Sequence, residues 1–219
     1  MTREELIKKV ALKMDEISSS DDVIVAVDSS DNNPLYTQID GLLNESINDV
    51  LTKAPIYRIQ SHVGLPSFDD DEYNEDGVTY APRKVAVIKV PNNFIRIASI
   101  TDQSFNRPIV DLAIDGDDTS KRQHNKFLIA KESKPVAVMG RDASGNRVIT
   151  CFSYASKSTV DPKLLYVKRY EETDMSADVG LDDYLIDLVS WVCAGKVFAA
   201  QGDVTKGQIC DTNASALMI

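Results

Sequence analysis

Leu181-Asp-Asp-Tyr-Leu-Ile-Asp-Leu-Val-Ser-Trp-Val-Cys-Ala-Gly-Lys-Val-Phe198-Ala-Ala-Gln-Gly202-Asp203 is apolar around most of a helical circumference. Leu181, Leu185, Leu188, Val192 and Ala199 recur at helical spacing on one face, and Ile186, Val189, Cys193 and Val197 widen it. A helix so broadly apolar is expected to be covered on more than one side. Gly202 is placed to end it in the left-handed conformation that glycine adopts without a Cβ penalty. Asp203 then stands where a carboxylate caps a last helix, running through Ile209 to Met218 and only weakly amphipathic. Trp191 within this stretch reads either as a helix-packing residue or as an interface anchor, since tryptophan is enriched at protein–protein hot spots.

The other end of the chain is also helical. Thr2 and Glu5 have capping-box spacing, and Leu6, Val10, Met14 and Ile17 follow at steps of four, four and three. Ser18 to Asp22 ends this helix, and Val23 to Val27 reads as a strand or an extended arm. After a polar loop from Asp28, Asn33 is expected to cap a second helix with Pro34 in its first turn. Ile39, Leu42, Leu43, Ile47, Val50 and Leu51 form its apolar stripe, and Pro55 stops it.

Between the helices the pattern changes to short apolar runs separated by Gly, Pro, Asn and Asp. Strands are expected at Val85 to Val90, Phe94 to Ile100, Ile109 to Ile114, Phe127 to Ala130, Val136 to Met139, Arg147 to Ser153 and Leu164 to Tyr170. Asp142 to Asn146 reads as a hairpin loop, and the set as a small antiparallel sandwich or barrel. The fold class is therefore α+β: residues 1–55 and 181–219 form a helical bundle, and residues 56–180 an inserted β-module.

The chain has 219 residues, 43% of them hydrophobic, enough for a real core. Lys and Arg number 24 against 34 Asp and Glu, a formal charge of −10, so the surface as a whole repels phosphate backbones. Cys151, Cys193 and Cys210 are odd in number and far apart, which reads as reduced thiols rather than a disulfide framework. The N-terminus lacks the basic start and apolar run of a signal peptide, and no apolar stretch is long enough for a membrane span. A soluble protein is expected.

A search for chemistry returns little. His62 and His124 lie in polar surroundings, away from any nucleophile-elbow serine motif. Gly140 to Gly145 lacks the Lys-Ser/Thr ending of a phosphate loop, and Gly195-Lys196 is followed by Val197. Asp69-Asp70-Asp71-Glu72-Tyr73-Asn74-Glu75-Asp76 carries six acids in eight residues. Aligning Gly77 with the glycine of a calcium loop puts Glu72, Asn74 and Asp76 in register. Arg83 then stands where a bidentate glutamate is required. We therefore expect no enzyme, no metal and no cofactor. The stretch reads as an exposed loop whose acids Asp69, Asp70, Asp71, Glu72, Glu75 and Asp76 face a basic partner or a channel lumen. Asp115 to Asp118 reads as a turn.

Two segments carry a resemblance. Val87-Ile-Lys-Val-Pro91-Asn-Asn-Phe94-Ile-Arg96-Ile-Ala-Ser-Ile100 resembles the β-module of phage adaptor proteins. The stretch from Leu181 to Asp203, with the short helix after it, resembles their closing helix pair. The family is that of the head–tail connector (adaptor or ring) proteins of tailed bacteriophages, including tail-tubular ring proteins and the ring proteins of crAss-like phages. The resemblance implies a structural virion protein forming a homo-oligomeric, dodecameric ring. Such a ring docks on the portal protein, extends the DNA channel without binding DNA specifically, and supports adjacent ring or tail proteins. It implies a place in the virion neck, reached by assembly in the host cytoplasm.

Subunit or partner contacts are expected at Trp191, Phe198, Ile209, Leu217, Met218 and Ile219, because large apolar side chains at a chain end are costly to leave in water. The alternatives are a capsid-decorating or tail-completion protein that forms no ring, and a cytoplasmic regulatory binding module.

Overall fold

The computed structural model describes residues 1–18, 34–59, 62–64, 68–73, 83–103, 105–123, 125, 128, 130–131, 133–152 and 163–218. In chain order the elements are α1 (Arg3–Ser18), α2 (Pro34–Lys53), a 3-10 turn (Ile56–Arg58), β1 (His62–Gly64), β2 (Phe68–Tyr73), β3 (Arg83–Lys89), β4 (Phe94–Thr101), β5 (Leu112–Ile114), α3 (Asp118–Gln123), β6 (Val136–Arg141), β7 (Arg147–Phe152), β8 (Lys163–Lys168), α4 (Asp183–Ala200) and α5 (Val204–Leu217). The protein is α+β. It divides into a unit of residues 1–60 with 169–219 and a unit of residues 61–168.

In the first unit α4 packs against α1, α2 and α5, which explains its apolar breadth. Leu185, Leu188, Val189, Cys193 and Val197 are buried together with Leu6, Val10, Ile39, Leu43 and Ile47 of α1 and α2. Ala199, placed on the apolar face by spacing, is exposed. The capping box at α1 forms as the spacing predicts: the Thr2 amide donates to Glu5 Oε2 at 2.8 Å and the Glu5 amide to Thr2 Oγ1 at 3.2 Å. These bonds hold the Glu5 carboxyl below its ordinary pKa. Ser46 and Ser190 are buried, and each hydroxyl donates to the carbonyl four residues back, Leu42 and Ile186.

The boundaries of this unit differ from those expected at 55/56 and 180/181. The chain from Arg169 onward belongs with the helices because the start of the chain grips it. The amides of Arg3 and Glu4 donate to the carbonyls of Ala177 and Met175, each at 3.0 Å, and the Val179 amide donates to the Met1 carbonyl at 3.0 Å. Asn48 on α2 bonds both backbone groups of Tyr170, donating to its carbonyl at 3.0 Å and accepting from its amide at 2.8 Å.

The second unit holds two sheets, one ordered β1-β8-β4 and one ordered β2-β3-β7-β6-β5. One apolar cluster draws on both: Ala86, Ile88, Ile149 and Cys151 of the larger sheet, and Phe94, Ile97, Ile100, Leu164 and Tyr166 of the smaller. The other face of the larger sheet buries Val85, Val138 and Phe152. Covering on both faces accounts for the unbroken apolar run Val85–Ile88 within β3. The hairpin between β6 and β7 forms where expected, with Asp142 Oδ1 accepting from the amides of Ser144 and Asn146.

Several expectations are corrected. The larger sheet is mixed rather than antiparallel: β5 pairs in parallel with β6, and the crossover between them contains α3. Asp117 begins α3, its Oδ1 accepting from the Ser120 amide at 2.6 Å. The strand expected at Ile109 to Ile114 spans only Leu112–Ile114, while Ile109 bridges Ile100 through two backbone bonds. In the stretch expected as a strand at Phe127 to Ala130, Leu128 lies in a turn, and Phe127 and Ile129 lie outside the described residues. Val23 to Val27 and Asn33 also lie outside them.

Candidate interaction surface

The surface at the chain end is built on the hairpin of α4 and α5. Gly202 has φ +85°, a conformation open to glycine at no steric cost. Its amide donates to the Ala199 carbonyl at 3.1 Å, and the Asp203 amide donates to the Phe198 carbonyl at 2.9 Å. This pair of bonds is a Schellman stop. Asp203 then caps α5, accepting from the Lys206 amide at 3.1 Å, and that bond holds its carboxyl below the ordinary range. The two helices approach closely at glycine: a Cβ on Gly195 would lie 3.2 Å from Cys210 Cβ and 3.2 Å from Asp211 Oδ1. On this side α5 buries Gly207, Cys210 and Ala214. On its other face Val204 and Ile209 are exposed, at 63% and 44%.

The residues expected to make contacts divide. Ile209 is open to a partner. Phe198 is not: it is only 4% exposed, so in this chain it is core, with the Lys206 ammonium 5.7 Å from its ring. Trp191 is half-buried, and the Lys13 ammonium of α1 sits 4.8 Å from its ring. Leu217 and Met218 are half-buried, and the Tyr184 hydroxyl of α4 donates to the Leu217 carbonyl, so the end of α5 is tied to its own chain. Ile219 lies outside the described residues.

Sequence reasoning missed an aromatic cluster nearby. Tyr57 is 82% exposed, and the Arg58 guanidinium lies 5.6 Å from its ring and 4.3 Å from that of Tyr184. Tyr and Arg are residue types enriched at hot spots, but nothing in the pattern around Pro55 marks them as exposed.

The acidic stretch is corrected from loop to strand. Asp69, Asp70, Asp71 and Glu72 lie in β2, at one edge of the five-stranded sheet, in antiparallel register with Val87, Ala86, Val85 and Lys84. Glu75 and Asp76 lie outside the described residues. The β5–α3–β6 crossover is basic: residues 121–134 hold five Lys or Arg against one Glu, and its Ala130 packs against Val85, Val138 and Phe152. Lys121, Arg122, Lys131 and Lys134 are exposed. A charge count along the sequence finds this second run.

Burial pushes the Cys151 thiol up to about 12 and the Cys193 and Cys210 thiols up to about 11. His62 lies in β1, and His124 lies outside the described residues. Among the described residues no group of three or more His, Cys, Asp or Glu is placed to hold a metal ion. No described helix is long and apolar enough to cross a membrane. No known protein family matches the chain, and no curated protein is significantly similar to it in sequence.

Proposed function

We propose that the protein is a non-catalytic virion subunit, one copy of a dodecameric ring in the head-to-tail connector of a tailed phage. The observation that carries this reading is the closing hairpin. An α4 with ten of its 18 residues buried ends in a Schellman stop at Gly202, and Asp203 caps a short α5 that keeps apolar side chains on its outer face. That hairpin, the segment Val87 to Ile100 and the order helix, helix, β-unit, helix, helix are what the chain shares in resemblance with the adaptor proteins. In this role the ring docks on the portal protein, extends the DNA channel and carries adjacent ring or tail proteins. A charge of −10 suits a channel past which DNA slides, because tight phosphate binding needs clustered Lys and Arg.

The test is to mix the purified chain with the portal protein of its phage and weigh the complex by mass photometry. Twelve copies per portal are expected. Absence of a complex, with the chain instead bound to capsid shells, would replace the ring with a capsid-decorating or tail-completion role.

A further inference from the structure

A sheet edge carries unpaired backbone N–H and C=O groups, and among the described residues the two sheets have four such edges, ending at β1, β4, β2 and β5. Three of them are closed or short. At β5, only Leu112–Ile114, Asp117 takes both backbone groups of Ile114: its Oδ2 accepts from the Ile114 amide at 3.1 Å, and its own amide donates to the Ile114 carbonyl at 3.1 Å. At β4 the register shifts twice, between Phe94 and Arg96 and between Ile97 and Ser99, and Ile100 exchanges two backbone bonds with Ile109. β1 is three residues long, His62–Gly64. β2 is different. It runs six residues, Phe68–Tyr73, along β3 with no shift of register, and among the described residues nothing pairs with its outer side. In such a strand every second residue turns its N–H and C=O away from the sheet, here over a length of about 20 Å.

We propose that the outer edge of β2 takes an extended, basic segment of a partner protein as an added strand. This goes beyond the ring reading and does not depend on it. The edge backbone supplies the hydrogen bonds that hold an added strand, whatever its sequence. The composition of β2 selects which strand. Asp69, Asp70, Asp71 and Glu72 fill four of its six positions. Glu72 stands opposite Lys84 in register, but Asp69, Asp70 and Asp71 stand opposite Val87, Ala86 and Val85, which bring no cation. A second β2 would double the acids and be repelled, as charged edges repel their own kind. Val23 to Val27, a β-branched run outside the described residues, is flanked by Asp21, Asp22 and Asp28 and is disfavoured on the same ground. A nucleic acid is repelled too. A strand carrying lysine or arginine meets opposite charge along the edge, which speeds encounter and sets register. The closed edges offer no backbone to a new strand, whereas β2 offers it and discriminates by charge.

The probe is a short blocked peptide of alternating lysine and valine, titrated into the isotope-labelled full-length chain and followed by amide NMR. Shifts are expected at Phe68–Tyr73 and its neighbour β3, with slowed hydrogen exchange at alternate amides of β2. Binding should be lost in about 1 M salt, where the Debye length is about 3 Å. The same peptide with every backbone nitrogen methylated keeps its charge but cannot donate to an edge, and is expected not to bind.

These measurements on the wild type need no variant to fold. A variant carrying Asp69→Asn, Asp70→Asn, Asp71→Asn and Glu72→Gln then tests the choice of a basic strand, and is expected to bind the peptide about tenfold more weakly. No shift in β2 at about 1 mM peptide, the weak end of specific binding, overturns the proposal. So does equal binding of the methylated peptide, which would reduce the contact to charge alone, or equal binding by the neutralised variant. Exchange at β2 that slows as the concentration of the free chain is raised assigns the edge to a second copy and also overturns it. Each of these results leaves the count of copies on the portal, and with it the ring reading, to stand or fall separately.

Discussion

Arg3 is joined to Asp40 by a 2.8 Å hydrogen bond from its Nε to Asp40 Oδ1, while its side chain is only 2% exposed. The rest of the guanidinium is also satisfied. Nη1 donates to Asn44 Oδ1 at 2.7 Å and to the Glu172 carbonyl at 3.0 Å, and Nη2 donates to the Asp40 carbonyl at 3.1 Å. One side chain at the start of α1 thereby fastens α2 and the segment after residue 168.

Arg3→Met is expected to lower unfolding free energy by about 3 kcal/mol. That is the low end for breaking a buried pair, since Asp40 keeps some solvent contact. Arg3→Lys is expected to rescue little, because one ammonium cannot serve four separated acceptors. Lys8→Met removes the exposed pair with Glu4 and should leave the urea midpoint close to that of the wild type. Urea unfolding followed by circular dichroism reads all three. An Arg3→Met variant as stable as the wild type would contradict the assignment.

The same substitution at two glycines should have opposite signs. Gly41 lies exposed within α2, with nothing within 4 Å of a built Cβ, so Gly41→Ala is expected to stabilise by up to about 1 kcal/mol. At Gly195 the added Cβ meets Cys210 Cβ and Asp211 Oδ1, both at 3.2 Å, so the buried Cys210 must give by a few tenths of an ångström. Gly195→Ala is expected to destabilise by about 1–3 kcal/mol. Melting temperatures that move the same way in both variants would contradict the packing described.

The thiols give a pH dependence with a definite sign. In the unfolded chain a thiol titrates near about 8.5, whereas in the fold Cys193 and Cys210 are held up to about 11 and Cys151 to about 12. Only the unfolded state loses these protons as pH rises above the unfolded value, so stability falls from there upward. The limit is about 1.4 kcal/mol per thiol per pH unit. Between pH 8.5 and 10 the urea midpoint should fall, and the fall should lessen when the three cysteines are replaced by alanine. A slope that is the same in both would assign the effect to other groups.

Much of this fold is readable in the sequence where a local rule dominates. The Thr2–Glu5 box, the Gly202 stop and the Asp142–Asn146 hairpin each depend on residues within a few positions of one another. What escaped reading depends on partners far along the chain. Arg3 meets Asp40 and Glu172, Asn48 meets Tyr170, and β5 lies parallel to β6 because a six-residue polar helix intervenes. The acidic run reads as a loop in the sequence because aspartate is rare in strands, but pairing with the apolar β3 outweighs that weak preference. Spacing alone does not reveal which neighbour covers a helix, so Phe198 reads in the sequence as a contact although α4 buries it.

The chain end is expected to hold both fold and assembly, in separable parts. Deleting residues 212–219 removes buried Ala214 and the Leu217 carbonyl that Tyr184 binds, and should lower the melting temperature markedly. Deleting only Met218 and Ile219 should leave melting within a few degrees of wild type but weaken incorporation into virions. Normal incorporation of that shorter deletion would exclude the last two residues from the contact.

The central claim is best tested by an asymmetric electron cryo-microscopy reconstruction of virions from the source phage, with this chain fitted to the density of the neck. The account predicts twelve copies in one closed ring on the tail axis, directly against the portal. Copies distributed over the capsid lattice, or no density for the chain in the neck, would contradict it.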